Sequence, residues 1–158
     1  MIEIVNGWHL YQHPLFKKQL TQLKDDVIKL KEKDPVNYRS HPTSKRLASI
    51  VDSIRRNVPT DPTHKDFLLG NTLGKGKGHW RRVKKGLPNR YRLFFRFSSH
   101  PPIIVYVWIN DDSTLRKDSA KTDCYQVFKK MLQKGIIPDS IGQLISEADT
   151  RIDSERFK

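Results

Sequence analysis

The sequence predicts an α+β protein in which an antiparallel sheet packs against helices. Apolar residues recur every three to four positions in the first third of the chain, which is the spacing of amphipathic helices. Residues 79–110 instead contain strand-like runs separated by short turns, and helical spacing returns after residue 123. The 158 residues suffice to bury a core, so we expect residues 1–158 to form a single domain, with a frayed tail after about residue 151.

The N-terminal part of the chain combines a predicted strand with two predicted helices. Apolar residues alternate with other residues over positions 1–13, which indicates a strand. Pro14 then opens a helical pattern that ends in the segment KEKDP. A second helix is predicted from a cap at Thr43 or Ser44 to about Pro59.

Three strand candidates follow, over residues 79–85, 90–98 and 103–110. Their connections, GLPN and SSHPP, are short and rich in turn-forming residues. Strands joined in this way pair with their neighbours in sequence, so we predict an antiparallel meander with the N-terminal helices packed on one face.

Two helical segments close the chain. Asp123 is a candidate N-cap for a helix over residues 124–134. A further helix over residues 141–148 follows a candidate cap at Asp139 or Ser140.

The chain is strongly basic, with 30 Lys and Arg residues against 17 Asp and Glu residues and a formal net charge of +13. Self-repulsion of this kind destabilises a compact fold unless an anionic partner is close. The charge is also segregated, because residues 67–110 contain no acidic residue. We therefore predict a polyanionic partner and favour contact with nucleic acid over a merely solvated basic surface.

Several classes of protein are disfavoured by the sequence. The lone cysteine, Cys124, excludes an internal disulfide and a cysteine zinc cluster. The N-terminus lacks the features of a secretory signal, and the longest apolar run, IIVYVWI, is too short to cross a bilayer. We expect a cytoplasmic protein that does not associate with a membrane.

The glycine-rich segment GNTLGKGKGH has neither the spacing of a P-loop nor that of a Rossmann fingerprint, and a strand rather than a helix is predicted after it. It is therefore not a nucleotide cradle. Two interpretations stay open: a flexible loop in which Lys75 and Lys77 contact a phosphate backbone, or an exposed loop without a role.

Side chains alternate between the two faces of a strand, so the residues that share a face can be predicted. One face would carry basic and aromatic side chains together: Trp80, Arg82, Lys84, Arg92, Phe94 and Arg96. Guanidinium groups beside aromatic rings suit phosphate recognition together with base stacking. The aromatic residues Trp80 and Phe94 fit equally well as residues packed under a helix.

A face of this kind is suited to RNA cleavage. The 2′-hydroxyl of RNA is the nucleophile, so the protein needs to supply a base, cations that stabilise the phosphorane, and an acid, and a metal is not obligatory. Metal-dependent nucleases need converging carboxylates. The nearby candidates are Asp111, Asp112, Asp118 and Asp123. Turn formation and helix capping account for them better, and we predict neither a metal nor a cofactor.

Five segments closely resemble the YhaV family of toxins from bacterial type II toxin-antitoxin systems, within the RelE-like superfamily. They are NGWHLYQHPLF, LGKGKGHWRRVK, RYRLFFRF, VWINDDSTLR and KTDCYQVFKKML, between about Asn6 and Leu132. The resemblance implies a RelE-like toxin that cleaves mRNA without a metal, in many relatives on the translating ribosome, and so inhibits translation and growth. It also implies a PrlF-type antitoxin with a swapped-hairpin DNA-binding fold, with which the toxin binds operator DNA and represses its operon.

The resemblance also assigns site residues. Carried over by motif, the catalytic residues are Arg82 and Lys84 in WRRVKK, Arg92 in RYRL, Arg116 in NDDSTLR and Tyr125 in TDCYQVF. Arg82 and Arg92 would hold the phosphate, Lys84 is the candidate base, and Tyr125 or Arg116 would assist the leaving oxygen.

Further RNA contacts are expected from basic and aromatic neighbours: Lys75, Lys77, Trp80, Arg81, Lys85, Arg90, Phe94 and Arg96. The same basic face would also serve a protein that binds nucleic acid or the ribosome without cutting RNA.

Overall fold

The computed structural model describes residues 3–70, 72–74 and 76–156, with side chains described up to Ala148. A five-stranded mixed sheet, in the order β1-β2-β5-β4-β3, forms the centre of a mixed α/β fold. Its strands are β1 (Glu3–Val5), β2 (Trp8–Gln12), β3 (Arg81–Val83), β4 (Leu93–Ser99) and β5 (Pro102–Ile109).

The N-terminal segment, predicted as one strand, is a β-hairpin. Asn6 and Gly7 connect β1 to β2, and both have positive φ angles, 51° and 82°. An Asn-Gly pair favours the two-residue hairpin turn that needs this backbone conformation at both positions. The prediction of one continuous strand was therefore wrong, because the turn at Asn6 and Gly7 divides the segment into two strands.

Strand β2 pairs in parallel with β5, with Leu10 opposite Ile104. The prediction of a wholly antiparallel sheet is wrong at this point. The chain between the two strands contains the helices α1 (Pro14–Lys33) and α2 (Pro42–Asp52) and the strands β3 and β4, and such a long crossover permits the parallel pairing that a short turn forbids.

Strands β3, β4 and β5 form the predicted antiparallel meander, with Arg82 opposite Phe94 and Phe95 opposite Tyr106. Strand β3 is shorter than predicted. Before it, the backbone N–H of Trp80 donates to the carbonyl oxygen of Lys77 in a turn, so the ladder begins only at Arg81.

The helices are α1 (Pro14–Lys33), α2 (Pro42–Asp52), the single turn α3 (Val58–Thr60), α4 (Cys124–Gln133) and α5 (Ile141–Arg156). No helix in the described part of the chain is long and apolar enough to cross a membrane.

A histidine before a proline begins both α1 and α2. The Nδ1 atoms of His13 and His41 accept hydrogen bonds from the backbone N–H groups of Leu15 and Thr43. The residue before a proline is held in an extended conformation, which is the conformation of an N-cap. The cap of α2 is therefore His41, and the prediction of Thr43 or Ser44 was wrong.

Helices cover both faces of the sheet. Leu20 of α1 and Ile50 of α2 pack in one core with residues such as Phe95. On the other face, Phe128 of α4 and Leu144 of α5 pack against residues such as Phe94, Val105 and Val107. The prediction placed the N-terminal helices on one face of the sheet and did not specify which face the C-terminal helices cover.

Candidate functional site

Three arginines surround the side chain of Tyr125 at the start of α4. The Nε atoms of Arg82 and Arg92 lie 2.9 Å and 3.3 Å from the hydroxyl oxygen, to which they donate. The guanidinium carbon of Arg116 lies 4.9 Å from the centre of the Tyr125 ring. We call these four residues the arginine cluster.

Arg82 reaches the cluster from the edge strand β3. Its strand partner is Phe94 of β4, and its Nη1 atom donates to the carbonyl oxygen of Asp66 at 2.8 Å. The segment that holds Asp66 lies beside β3, since Leu68 forms an isolated bridge with Arg81. The guanidinium of Arg82 is thus fixed at two of its three nitrogens.

Arg92 is positioned by Asn110. The Oδ1 atom of Asn110 accepts the backbone N–H of Arg92 at 2.7 Å, and its Nδ2 atom donates to the carbonyl oxygens of Arg90 and Thr114, each at 2.9 Å. Asn110 therefore uses both ends of its amide to join the start of β4 to the loop after β5. Arg116 follows in that loop, and its backbone N–H donates to the carbonyl oxygen of Arg90 at 2.9 Å.

Asp123 positions the other two members of the cluster. One oxygen accepts a hydrogen bond from Nη1 of Arg116 at 2.9 Å and one from the backbone N–H of Lys117 at 2.8 Å. The other oxygen accepts the backbone N–H of Tyr125 at 3.1 Å, as the predicted N-cap of α4. The hydrogen bond to Asp123 raises the pKa of Arg116 above its usual value, so this arginine is firmly cationic.

Two of the cluster's cations have no carboxylate partner in the described ranges. The acceptors of Arg82 are the Tyr125 hydroxyl and a backbone carbonyl, and those of Arg92 are the same hydroxyl and the carbonyl of Tyr91. Arg82 and Arg116 are partly exposed, whereas Arg92 and Tyr125 are only 7% and 4% exposed. Uncompensated guanidinium groups at a surface are suited to binding an anion, and a phosphate above all.

Trp80 and Phe94 are completely buried, so the prediction that they stack on bases was wrong and the packing alternative applies. The Phe94 ring stacks on Phe128 of α4, with a centroid distance of 4.2 Å. The Nε1 atom of Trp80 donates to Oδ1 of Asp139 at 2.7 Å. Their face of the sheet was predicted correctly, but α4 covers that part of it.

Asp139 engages two of the predicted RNA-binding cations. Nζ of Lys77 lies 2.9 Å from its carboxylate, and Arg96 donates to its backbone carbonyl and lies over the ring of Trp80. Burial opposes ionisation of Asp139, but hydrogen bonds from Lys77 and Trp80 outweigh it and lower the pKa of the carboxyl. These two cations therefore stabilise the fold around α4 in this structure.

The other predicted RNA-binding cations differ in their surroundings. Lys85 forms an ion pair with Asp66 at 3.3 Å, and Arg81 donates to the carbonyl oxygen of Trp80 at 3.0 Å. Burial lowers the pKa of Arg81. Arg90 is exposed, and its backbone carbonyl holds Asn110 and Arg116 as described above.

Lys84, the candidate base, lies one residue after β3 and is exposed. The structure does not bring its side chain into the hydrogen-bond network of the cluster within the described residues. Lys75 lies outside the described residues.

The carboxylates weighed as metal ligands do not converge. Asp111 accepts hydrogen bonds from Ser113 and Thr114 within its own turn, and Asp123 caps α4. Across the residues that the structure describes, no group of three or more His, Cys, Asp or Glu side chains is placed to hold a metal ion.

Sequence reasoning did not identify Asn110 as a positioning residue. The signal was present, because a polar amide ends an otherwise apolar strand where a buried polar group needs partners. The role of Asp66 left no comparable signal, since it is the backbone carbonyl that contacts Arg82.

The chain is a mixed α/β protein with a cationic site suited to binding phosphate, in which Arg82 and Arg116 are partly exposed and Arg92 is buried. A model of a toxin family described as having endonuclease activity, within toxin-antitoxin systems, matches residues 10–149. The chain belongs to this family, the YhaV toxins, as the sequence motifs predicted.

Curated relatives extend over nearly the same length. The chain is 42% identical over 146 residues to the protein named Ribonuclease toxin YhaV from Escherichia coli strain K12, covering 92% of this chain and 94% of the relative. Identity and coverage are the same for the protein named Toxin YhaV from Escherichia coli O157:H7. No solved structure matches the chain.

Proposed function

We propose that this toxin is an endoribonuclease that cleaves messenger RNA at the arginine cluster. The observation that carries the proposal is the convergence of Arg82 and Arg92, neither of them paired with a described carboxylate, on the hydroxyl of Tyr125. The description of the family supports an endonuclease activity, and the name of the relative from strain K12, a ribonuclease toxin, supports RNA as the substrate.

The proposed roles follow from the chemistry of RNA. The 2′-hydroxyl attacks the adjacent phosphate, so the protein needs to bind that phosphate, stabilise its growing charge and move two protons. The partly exposed Arg82 contacts the phosphate first, and Arg92 stabilises the charge behind it. Lys84 is the candidate base, and Tyr125 or Arg116 assists the departing 5′-oxygen. No step in this scheme requires a metal.

The wider setting belongs to the same proposal. The chain is a single RelE-like domain that acts in the cytoplasm, where it cleaves mRNA, either free or on the translating ribosome, and so inhibits translation and growth. Its partner is a PrlF-type antitoxin, and the two proteins together bind operator DNA and repress their operon. Membership in a toxin-antitoxin family supports the antitoxin partner.

One experiment tests the central claim. The wild-type chain and the variant Arg92→Ala are expressed in bacteria, growth is followed, and transcript 5′ ends are mapped. The purified proteins are then incubated with an mRNA, with and without ribosomes and with excess EDTA. We expect growth arrest and new transcript ends with the wild type, and a large loss of both with Arg92→Ala.

The exposed residue Lys29 of α1 provides a control, since Lys29→Ala removes a cation that lies outside the cluster. This variant should cleave as the wild type does. Growth arrest without new transcript ends would contradict the proposal and favour a protein that binds nucleic acid or the ribosome without cutting RNA. Loss of ribosome-free cleavage in EDTA would contradict the metal-free scheme.

A further inference from the structure

A groove runs between α1 and α2, two helices that pack on the sheet face opposite to α4 and the arginine cluster. It consists of two adjoining cavities, of about 720 and 270 Å³, which share Val51 and Arg55 as lining residues. We call these cavities together the α1–α2 groove.

The floor of the groove is largely aliphatic. Its aliphatic lining residues include Leu20, Val27, Leu47, Ala48, Val51 and Ile54. Ala48 is exposed although it lies in the middle of α2, and Val27, Leu47 and Val51 are half-buried. An apolar surface of this kind, left open to water, is typical of a site that a partner covers.

The rim of the groove is basic. Its cations are Lys17, Lys24, Arg39, Lys45, Arg55 and Arg56. Among the described lining residues there are two carboxylates, and each pairs with an arginine: Nε of Arg55 lies 3.4 Å from Glu3, and Nε of Arg56 lies 2.9 Å from Asp52. The positive charge on the rim therefore exceeds the negative charge.

An aliphatic floor between basic rims matches one kind of occupant, a helix with apolar residues on one face and acidic residues beside them. RNA would satisfy the cations through its phosphates, but it would leave the aliphatic floor without a complement. We propose that the α1–α2 groove binds an acidic amphipathic segment of the antitoxin. This inference rests on the antitoxin partnership proposed above and not on the cleavage mechanism.

The test measures binding with purified proteins and without RNA. The probe is the antitoxin encoded beside this toxin's gene, titrated calorimetrically into the full-length toxin. Ala48→Gln places a longer polar side chain on the floor at only a small cost in helix propensity. Lys45→Glu reverses one charge on the rim. The control Lys29→Glu makes the same change on α1 outside the groove.

We expect Ala48→Gln to weaken antitoxin binding about five-fold and Lys45→Glu about ten-fold, with Lys29→Glu within about two-fold of the wild type. RNA cleavage should be unchanged in all three variants, which also shows that they fold. Unchanged antitoxin affinity in both groove variants would overturn the inference. So would a loss of cleavage with unchanged affinity, because the groove would then contact RNA. A wild-type toxin that bound its antitoxin but cut no RNA would contradict the proposed function alone.

Discussion

The Nε atom of Arg82 donates a hydrogen bond to the hydroxyl of Tyr125 at 2.9 Å, across 43 residues of sequence. The same oxygen lies 3.3 Å from Nε of Arg92. One hydroxyl group thus accepts from guanidinium groups on two neighbouring strands. It fixes how these groups are oriented, and, unlike a guanidinium group, it can both donate and accept a hydrogen bond.

Removing the hydroxyl of Tyr125 should reduce the cleavage rate strongly and the stability of the fold only slightly. In Tyr125→Phe the ring keeps its contact with Phe94, whose centroid lies 5.6 Å away, while both arginines lose their shared acceptor. We expect initial cleavage rates to fall about 100-fold or more, with a loss of about 1 kcal/mol in the free energy of unfolding.

A second tyrosine provides the matched control for this prediction. The hydroxyl of Tyr91 contacts Arg46 and Asp112 and does not contact the cluster, so Tyr91→Phe should cut RNA at nearly the wild-type rate. Cleavage by Tyr125→Phe at that same rate would show that its hydroxyl has no part in the reaction.

The two roles of Asp123 can be separated by the choice of substitution. Asparagine can keep the N-cap bond to the N–H of Tyr125, but its amide nitrogen then faces the donors of Arg116 and Lys117, whereas alanine loses both functions. We expect Asp123→Asn to lose about 1–2 kcal/mol of stability and about ten-fold in kcat/KM, and Asp123→Ala to lose about 1 kcal/mol more. Urea unfolding and steady-state cleavage measure these effects, and equal cleavage by Asp123→Asn and the wild type would contradict the positioning role.

The strand alternation in the sequence was sufficient to predict that Arg82 and Arg92 lie on one face. The strand register explains why. Arg82 pairs with Phe94, so the two side chains lie on the same face, and Arg92 shares that face because it lies two residues before Phe94. Alternation cannot show which part of a face a helix covers. Trp80 and Phe94 lie under α4, whereas Arg82 stays partly exposed beside it, and this difference depends on packing between segments that are distant in sequence.

The other features that the sequence did not predict depend on contacts between residues that are distant in the chain or held by a loop. The parallel contact of β2 with β5 brings His9 beside Ile103, and no local pattern specifies such a partner. The N-cap of α4 was predictable because a cap bonds within its own turn. The second bond of the same carboxylate, to Arg116, was not, because it depends on how the loop before α4 folds.

Asn110 should be more sensitive to substitution than a typical polar residue. It is 3% exposed, and its amide makes three hydrogen bonds to backbone groups on either side of the cluster. In Asn110→Ala these groups lose their partners, so we expect a loss of about 2–3 kcal/mol in the free energy of unfolding. We also expect cleavage to fall further than the folded fraction does, because Arg92 and Arg116 are no longer held together.

The variant Asn110→Asp tests the contribution of these hydrogen bonds while the volume of the side chain stays nearly the same. The carboxylate still accepts the N–H of Arg92, but it faces the carbonyl oxygens of Arg90 and Thr114 without a donor. Urea unfolding should show a loss comparable to that of the alanine variant. Wild-type stability in both variants would contradict the role assigned to this amide.

The buried thiol of Cys124 should make the folded toxin less stable as the pH becomes alkaline. Burial of this completely enclosed thiol, assisted by the charge of Asp123, raises its pKa from an ordinary value of 9.0 to about 11. Between these pH values the thiol of the unfolded chain loses its proton while that of the folded chain keeps it. The stability contributed by the neutral thiol is therefore complete below about pH 9 and declines as the pH rises to about 11.

Urea unfolding from pH 7 to 11 should show the wild type losing stability relative to Cys124→Ala across that interval, and a thiol reagent should modify the folded protein far more slowly than the unfolded one. Parallel stability curves, or rapid modification of the folded protein, would contradict a buried neutral thiol at the start of α4.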